Sequence, residues 1–200
     1  MVRHKPNIRN YIMELEYKVE NLNEISEDTI NELAHLYHVE QVVKANNPKE
    51  TVLVDEEYYY NEIKRYTKKK NSFLISGYVG EDRASTTFIL NIEDSPFITK
   101  SDSLKNELVE HGTSVEKTCV PAYIFVKKAF RGHNFGVETD LYARSIAKEN
   151  GYTHLLGFGS MNEDIRTFYG HKYKVGDTQV KKIFLETKDY NGKDISLYTL

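Results

Sequence analysis

Hydrophobic positions in the first third of the chain predict one strand followed by two helices. Polar and apolar residues nearly alternate over Ile12 to Glu20, which is typical of a half-buried strand at a sheet edge. From Glu27 onward, apolar residues recur at the i, i+3, i+4, i+7 spacing of an amphipathic helix. They are Ile30, Leu33, Ala34 and Tyr37. A second helix is predicted from about Asp55 to Lys70. Its apolar face carries Tyr59, Ile63 and Tyr66.

The middle of the chain predicts a hairpin and then a loop. Two β-rich segments, Ser72 to Val79 and Ser85 to Ile92, are separated by a short polar turn. The following residues are polar, contain a proline and a glycine, and predict at most one helical turn around Leu104 to Val109. We therefore expect an inserted loop segment at about 94 to 116.

The last half of the chain predicts a strand, a turn, a helix and a strand in succession. The segment up to Val126 is apolar on both faces and predicts a central strand with strictly alternating side chains. One face would carry Val120, Ala122, Ile124 and Val126, and the other Cys119, Tyr123 and Phe125. A glycine-containing turn follows, then a helix over about 137 to 150, a glycine stop at Gly151 and an apolar strand over 153 to 158. A short helix at about 164 to 169 and closing strands at about 173 to 175, 180 to 187 and 195 to 200 complete the pattern.

Composition and charge limit the classes of protein. These 200 residues can form one α/β (α+β) domain spanning 1 to 200, and the one cysteine, Cys119, cannot form an intrachain disulfide. The net charge of −3 gives no general attraction to nucleic acid or to an acidic membrane. Uncharged stretches are far shorter than the roughly 20 apolar residues of a membrane span, and the first residues lack an apolar signal region. We expect a cytoplasmic protein that binds neither nucleic acid nor membrane.

The strongest candidate for chemistry is the turn after the central strand. The strand residues Ile124, Phe125 and Val126 lead into a glycine-containing turn and directly into a helix. This arrangement directs free backbone N–H groups and the positive end of a helix dipole at one place, as a bound pyrophosphate requires. An ordinary turn containing Arg-Gly is the alternative interpretation.

The residues of this turn resemble motif A of the GCN5-related N-acetyltransferase (GNAT) family, an R/Q-x-x-G-x-G/A loop. They are Arg131, Gly132, His133, Asn134, Phe135 and Gly136. Asn134 stands where the family has its central glycine, and asparagine tolerates the left-handed conformation better than most residues. A second set resembles motif B of the same family, N-x-x-A-x-x-F/L-Y. Its members are Asn162, Ile165, Phe168 and Tyr169.

The resemblance implies a mixed, mostly antiparallel sheet that is splayed at its centre and flanked by helices. It also implies direct transfer of an acetyl group from acetyl-CoA to a primary amine, on a small molecule or on a protein. The turn residues 131 to 136 would hold the cofactor pyrophosphate. The backbone of Ile124, Phe125 and Val126 would hold the pantetheine arm, where this strand splays from the strand at 155 to 158.

The resemblance further implies roles for two residues of the second motif. Tyr169 would be the general acid that protonates the departing thiolate; the alternative is a core tyrosine with a hydrogen-bonded hydroxyl. Asn162 would either bind pantetheine or cap the short helix that follows. No base is identified: Glu81, His111 and Glu116 are candidates on the presumed substrate side, and ordered water could serve instead.

An alternative function, an oligomeric state and the absence of a metal site complete the prediction. A catalytically silent domain of the same fold, acting as a coenzyme A sensor or a protein-binding module, is the alternative function. A homodimer is compatible with such a fold. No metal is expected, because Cys119, His133 and His171 lack any standard ligand spacing.

Overall fold

One mixed β-sheet organises the part of the chain that the computed structural model describes, residues 13–44, 55–94, 102–158, 180–183 and 195–200. The strands are β1 (Glu16–Asn21), β2 (Phe73–Val79), β3 (Asp82–Asn91), β4 (Thr118–Val126), β5 (His154–Phe158), β6 (Val180–Ile183) and β7 (Ile195–Thr199). The helices are α1 (Glu27–Lys44), α2 (Glu56–Tyr66), α3 (Asp102–Glu110) and α4 (Phe135–Glu149). The strand order is β1-β2-β3-β4-β5-β7-β6, so β1 lies at an edge, as predicted, and β4 lies at the centre.

The sheet is mostly antiparallel and opens between its two central strands. Among the described strands, β4 and β5 form the one parallel pair. Their pairing consists of Thr118 opposite His154 and Cys119 opposite Leu155, and it stops there although both strands continue. The predicted fold class and the predicted splay between these strands are therefore confirmed.

A β-bulge changes the direction of side chains along β4. On β3 one residue lies between Thr86 and Phe88, whereas two residues lie between their partners on β4, Phe125 and Ala122. The extra residue is accommodated at Tyr123, whose φ is 50°, in the left-handed region. Ala122, Tyr123 and Phe125 consequently all pack against α1 and α2. The expectation of strict alternation along this strand was wrong, because a bulge shifts the period of two by one residue.

Helices α1 and α2 cover one face of the sheet with the side chains that their periodicity predicted. Ile30, Leu33, Ala34, Tyr37, Tyr59, Ile63 and Tyr66 are all buried. The Tyr37 ring stacks on Tyr123 at 5.5 Å between centroids, and its hydroxyl shares a 2.7 Å hydrogen bond with the hydroxyl of Thr86. Burial raises the pKa of Tyr37 and raises that of Tyr66 to about 12, so both phenols stay protonated at neutral pH. Helix α2 begins after Asp55, whose carboxylate accepts the Tyr58 N–H, and ends at Tyr66, four residues before the predicted end at Lys70.

Helix α4 covers the opposite face. Its small residues Ala143 and Ala147 pack with Ile75, Ile89 and Cys119. The helix begins at Phe135, two residues earlier than predicted, and ends before Gly151, whose φ of 87° suits a helix stop.

The expectation of an inserted loop at 94 to 116 was wrong over the described part of that segment. Residues 102 to 110 form α3, and a 3-10 turn follows at Val115–Lys117. Leu104 and Leu108 are fully buried in a cluster that includes residues of β4, β5 and β7. The short, polar sequence concealed this helix because, among its residues 104 to 110, whose burial is described, Leu104 and Leu108 alone face the core.

The last strand, β7, lies between β5 and β6 and pairs antiparallel with both. The predicted short helix at 164 to 169 and the strand at 173 to 175 lie outside the described residues. Within the described ranges, no helix has both the length and the apolar character needed to cross a membrane.

The burial of α3 leads to the first prediction. Replacing Leu108 by Ala should lower the free energy of unfolding by about 2–5 kcal/mol, because it leaves a cavity in the core. The neighbouring Val109 is 67% exposed, so Val109→Ala should change the stability by less than about 0.5 kcal/mol. Urea denaturation of both variants measures the difference. Equal effects would mean that α3 does not pack as described.

The environment of Cys119 leads to the second prediction. The side chain is fully buried, and desolvation raises the pKa of its thiol to about 12. The thiolate is the reactive form of cysteine. A thiol reagent at about pH 8 should therefore label the native protein far more slowly than the protein unfolded in about 6 M guanidinium. Labelling kinetics at both conditions test this expectation, and rapid labelling of the native protein would contradict it.

Candidate functional site

The candidate site begins where β4 ends and the chain turns into α4. A 3-10 turn at Lys128–Phe130 is closed by the Phe130 N–H, which donates to the Lys127 carbonyl at 2.8 Å. The chain then takes positive φ angles at Gly132, 89°, and at Asn134, 63°, before the helix begins. The prediction that asparagine supports the left-handed conformation at this position is confirmed.

Backbone N–H groups accumulate in this turn without acceptors. Asn134 accepts the first bonds of α4, from the N–H groups of Val137 and Glu138, and its own side chain makes no cap. The N–H groups of residues 132 to 136 have no acceptor among the described residues. They lie at the positive end of a 15-residue helix. The turn therefore has the features of an anion site, and an added Cβ at Gly132 would meet no atom of the described residues within 4 Å.

The edge of β4 that faces β5 also has no strand partner beyond Cys119 in the described part of the sheet. The other edge pairs with β3 through Val126, so the strand is held in an extended form while one row of its backbone groups is left available. Ile124, Phe125 and Val126 occupy the part of β4 where the two strands have separated. An extended ligand with amide groups could add to this edge as a further strand would.

Two of the three nearby cations already have partners. The Lys127 ammonium lies 3.3 Å from the carboxylate of Asp82. The Arg131 guanidinium donates from Nε to the Val126 carbonyl at 2.9 Å and from Nη2 to Glu40 at 2.6 Å. Lys128 is exposed and has no ion pair in the described part of the chain. The positive charge of Lys127 and Arg131 is therefore largely neutralised, and the backbone N–H groups dominate the site.

Glu40 was not identified from the sequence. It lies on α1, is 8% exposed, and also accepts the Lys128 N–H at 3.0 Å. A signal was present, because Glu40 follows the core residue Tyr37 by three positions and so shares the apolar face of the helix. A carboxylate on such a face is buried on folding and needs a partner.

A small cavity of about 80 Å³ opens on the α1 and α2 side of β4. Its walls come from both helices, the bulged part of β4 and the turn: Tyr37, Glu40, Tyr59, Tyr123, Ile124, Phe125 and Arg131. Four of these seven residues are aromatic, and Glu40 and Arg131 neutralise each other. The cavity meets β4 at Ile124 and Phe125, on the face of the sheet opposite α4.

The remaining predicted residues divide into two groups. Tyr169 and Asn162 lie outside the described residues, so their roles stay predictions.

Of the candidate bases, His111 is paired with Glu107 at 3.8 Å, and Glu116 has its pKa lowered chiefly by a hydrogen bond from Ser114. A lowered pKa makes the Glu116 carboxylate a poorer proton acceptor. Glu81 lies in the β2–β3 turn, in a groove next to Glu40. The described residues contain no group of three or more metal-ligating side chains.

No protein-family model matches the sequence, and no curated protein matches it. Solved structures do match it at low identity. An acetyltransferase from Streptococcus agalactiae 2603 has a TM-score of 0.55 and 14% identity, with 93% of this chain and 98% of that chain covered. For a GNAT-family acetyltransferase from Staphylococcus aureus Mu50, the TM-score is 0.56 and the identity 11%, with coverages of 92% and 99%.

A third similar structure is that of yncA from Salmonella typhimurium, which was solved with its cofactor acetyl-CoA. Its TM-score is 0.54 at 9% identity, and the match covers 94% of this chain and 93% of that chain. These matches extend over nearly the whole of each protein, so they concern the complete architecture. At such identities they establish a shared fold. The chain has the fold of the GCN5-related N-acetyltransferases.

Proposed function

We propose that this protein is an N-acetyltransferase that transfers an acetyl group from acetyl-CoA to a primary amine. The observation that carries the proposal is the turn at residues 132 to 136, where unpaired N–H groups at the start of α4 lie beside the open edge of β4. An anion site and an extended amide-binding edge are the two features that a phosphorylated pantetheine requires. The fold match to proteins that include one solved with acetyl-CoA supports the same ligand.

The residues present fit this cofactor. Gly132 and Asn134, with positive φ, expose the N–H groups of the turn, and nothing lies within 4 Å of the open side of Gly132. These groups would hold the pyrophosphate, together with those of His133, Phe135 and Gly136. Ile124, Phe125 and Val126 would hold the pantetheine arm through their backbone. When bound, acetyl-CoA supplies a thioester whose C–S bond breaks as the amine nitrogen forms the new C–N bond.

The aromatic cavity next to β4 is the proposed acceptor site. It meets the strand at Ile124 and Phe125 from the face opposite α4, so an amine in it and a cofactor at the strand edge would meet at the bulge. The rings of Tyr37, Tyr59 and Tyr123 would exclude water and present π faces to an ammonium group or an apolar chain. The acceptor is a primary amine on a small molecule or a protein.

Proton transfer in this site would involve Tyr169 and water. The Tyr169 hydroxyl would donate a proton to the departing sulfur. The cavity tyrosines cannot act as bases, because burial raises the pKa of Tyr37, Tyr59 and Tyr123 and keeps their phenols protonated. Glu40 is the one carboxylate among the cavity residues, and it is committed to Arg131 and Lys128. Ordered water would therefore take the proton from the amine nitrogen.

Cofactor binding leads to the third prediction. Gly132 and Gly151 lie at opposite ends of α4 and have nearly the same φ, 89° and 87°. A Cβ added at either glycine would meet no atom of the described residues within 4 Å. Alanine at either position should cost about 1–2 kcal/mol of backbone strain. If the turn holds the pyrophosphate, Gly132→Ala should also weaken acetyl-CoA binding several-fold, whereas Gly151→Ala should leave it unchanged.

Calorimetric titration of wild type and both variants with acetyl-CoA measures this difference. Saturable binding by the wild type should also raise its thermal stability, by about 2.7 kcal/mol at 100 times the dissociation constant. Absence of any binding at millimolar cofactor would refute the proposal. Binding without turnover of a broad panel of amines would favour the coenzyme A sensor instead.

The role of Tyr169 leads to the fourth prediction. Tyr169→Phe should lower kcat by roughly ten- to a thousandfold with little change in acetyl-CoA affinity, because it removes the acid but not a binding group. Tyr173→Phe, in the same segment, is the matched control and should retain wild-type turnover. Steady-state kinetics with an acceptor from the amine panel test this, and an unchanged kcat would assign Tyr169 to packing.

A further inference from the structure

The Glu40 carboxylate on α1 contacts two residues of the segment after β4, which lie 88 and 91 positions away in sequence. One oxygen accepts the Lys128 N–H at 3.0 Å, and the other accepts Arg131 Nη2 at 2.6 Å. Arg131 Nε in turn donates to the Val126 carbonyl at 2.9 Å. The end of β4, the 3-10 turn and the residue before Gly132 are thus tied to one carboxylate on α1.

We propose that Glu40 is a positioning residue that holds the turn at 132 to 136 in the form that binds the cofactor pyrophosphate. This inference rests on the proposed function. Glu40 would act through the turn, since both of its hydrogen bonds go to residues that precede Gly132.

Because the Glu40 carboxylate is buried, it requires the hydrogen bonds that it accepts from Arg131 and Lys128. The Glu40 side chain is 10% exposed, so its charge is largely removed from water and is compensated by the Arg131 guanidinium and the Lys128 N–H. A buried carboxylate without these partners would carry a desolvation penalty, so the folded protein favours the turn conformation that supplies both. The turn leaves its N–H groups at 132 to 136 without acceptors, so it needs such support from elsewhere.

A positioning role and a purely electrostatic role of Glu40 predict opposite changes in coenzyme A affinity when Glu40 is replaced by Gln. Glu40 is a negative charge near the proposed site of an anionic ligand. If its charge were all that mattered, Glu40→Gln would free the Arg131 charge and tighten coenzyme A binding. If Glu40 positions the turn, Glu40→Gln should weaken binding, because the amide cannot hold the guanidinium as firmly.

The test compares Glu40→Ala, Glu40→Gln and a control, Glu32→Gln. Glu32 lies on the same helix, is exposed, and pairs at 3.4 Å with Arg83 and not with the turn. Calorimetry should show the dissociation constant of coenzyme A raised about 10- to 100-fold in Glu40→Ala, less in Glu40→Gln, and unchanged in Glu32→Gln. Affinity for S-acetylpantetheine, which lacks the pyrophosphate, should be the same in all three variants and the wild type.

Hydrogen exchange provides a readout that needs no ligand. In Glu40→Ala the amides of residues 128 to 131 should exchange at least about tenfold faster than in the wild type, with the β2–β3 hairpin unchanged as an internal control. If the wild type fails to bind coenzyme A, the proposed function is refuted, and exchange still decides whether Glu40 organises the turn. Unchanged exchange, tighter coenzyme A binding in Glu40→Gln, or an equal loss of affinity for S-acetylpantetheine would each overturn the proposal.

Discussion

Strand β4 is hydrogen-bonded on both sides only at its start, and that unequal pairing organises the rest of the molecule. It pairs with β3 from Cys119 to Val126, but with β5 only at Thr118 and Cys119. The pairing with β3 keeps the strand extended. Where the pairing with β5 ends, a row of β4 backbone groups has no strand partner within the described ranges. An interior strand edge of this kind is costly unless a ligand or water satisfies it. The opening would accommodate the extended ligand that we propose.

The bulge in the same strand produces the second functional feature. An extra residue at Tyr123 brings Ala122, Tyr123 and Phe125 onto the face covered by α1 and α2. Without the bulge, alternation would direct Tyr123 and Phe125 toward α4, and the aromatic cavity would not form. One left-handed residue, Tyr123, thus lies both on the open edge of β4 and in the wall of the proposed acceptor site. The positive φ of Tyr123 is a strained conformation, which such sites often contain.

The turn before α4 depends on contacts that come from the opposite face of the sheet. Gly132 and Asn134 supply the local geometry, but Glu40 on α1 holds the residues that precede them. The proposed pyrophosphate site and the proposed acceptor cavity share Glu40 and Arg131 as a wall. A change in α1 can therefore reach both sites through one ion pair.

The sequence by itself determined the positions of α1, α2 and α4, the β2–β3 hairpin, the central position of β4 and the glycine-containing turn before α4. Each of these follows from local periodicity, glycine placement or a capping residue, which act between neighbours in the chain. Tertiary structure alone decided the packing of α3, the bulge at Tyr123 and the pairing of Glu40 with Arg131, 91 residues apart. These features depend on which surfaces meet across the sheet. A hydrophobic pattern reports that a residue is buried, but it does not report the partner against which the residue packs.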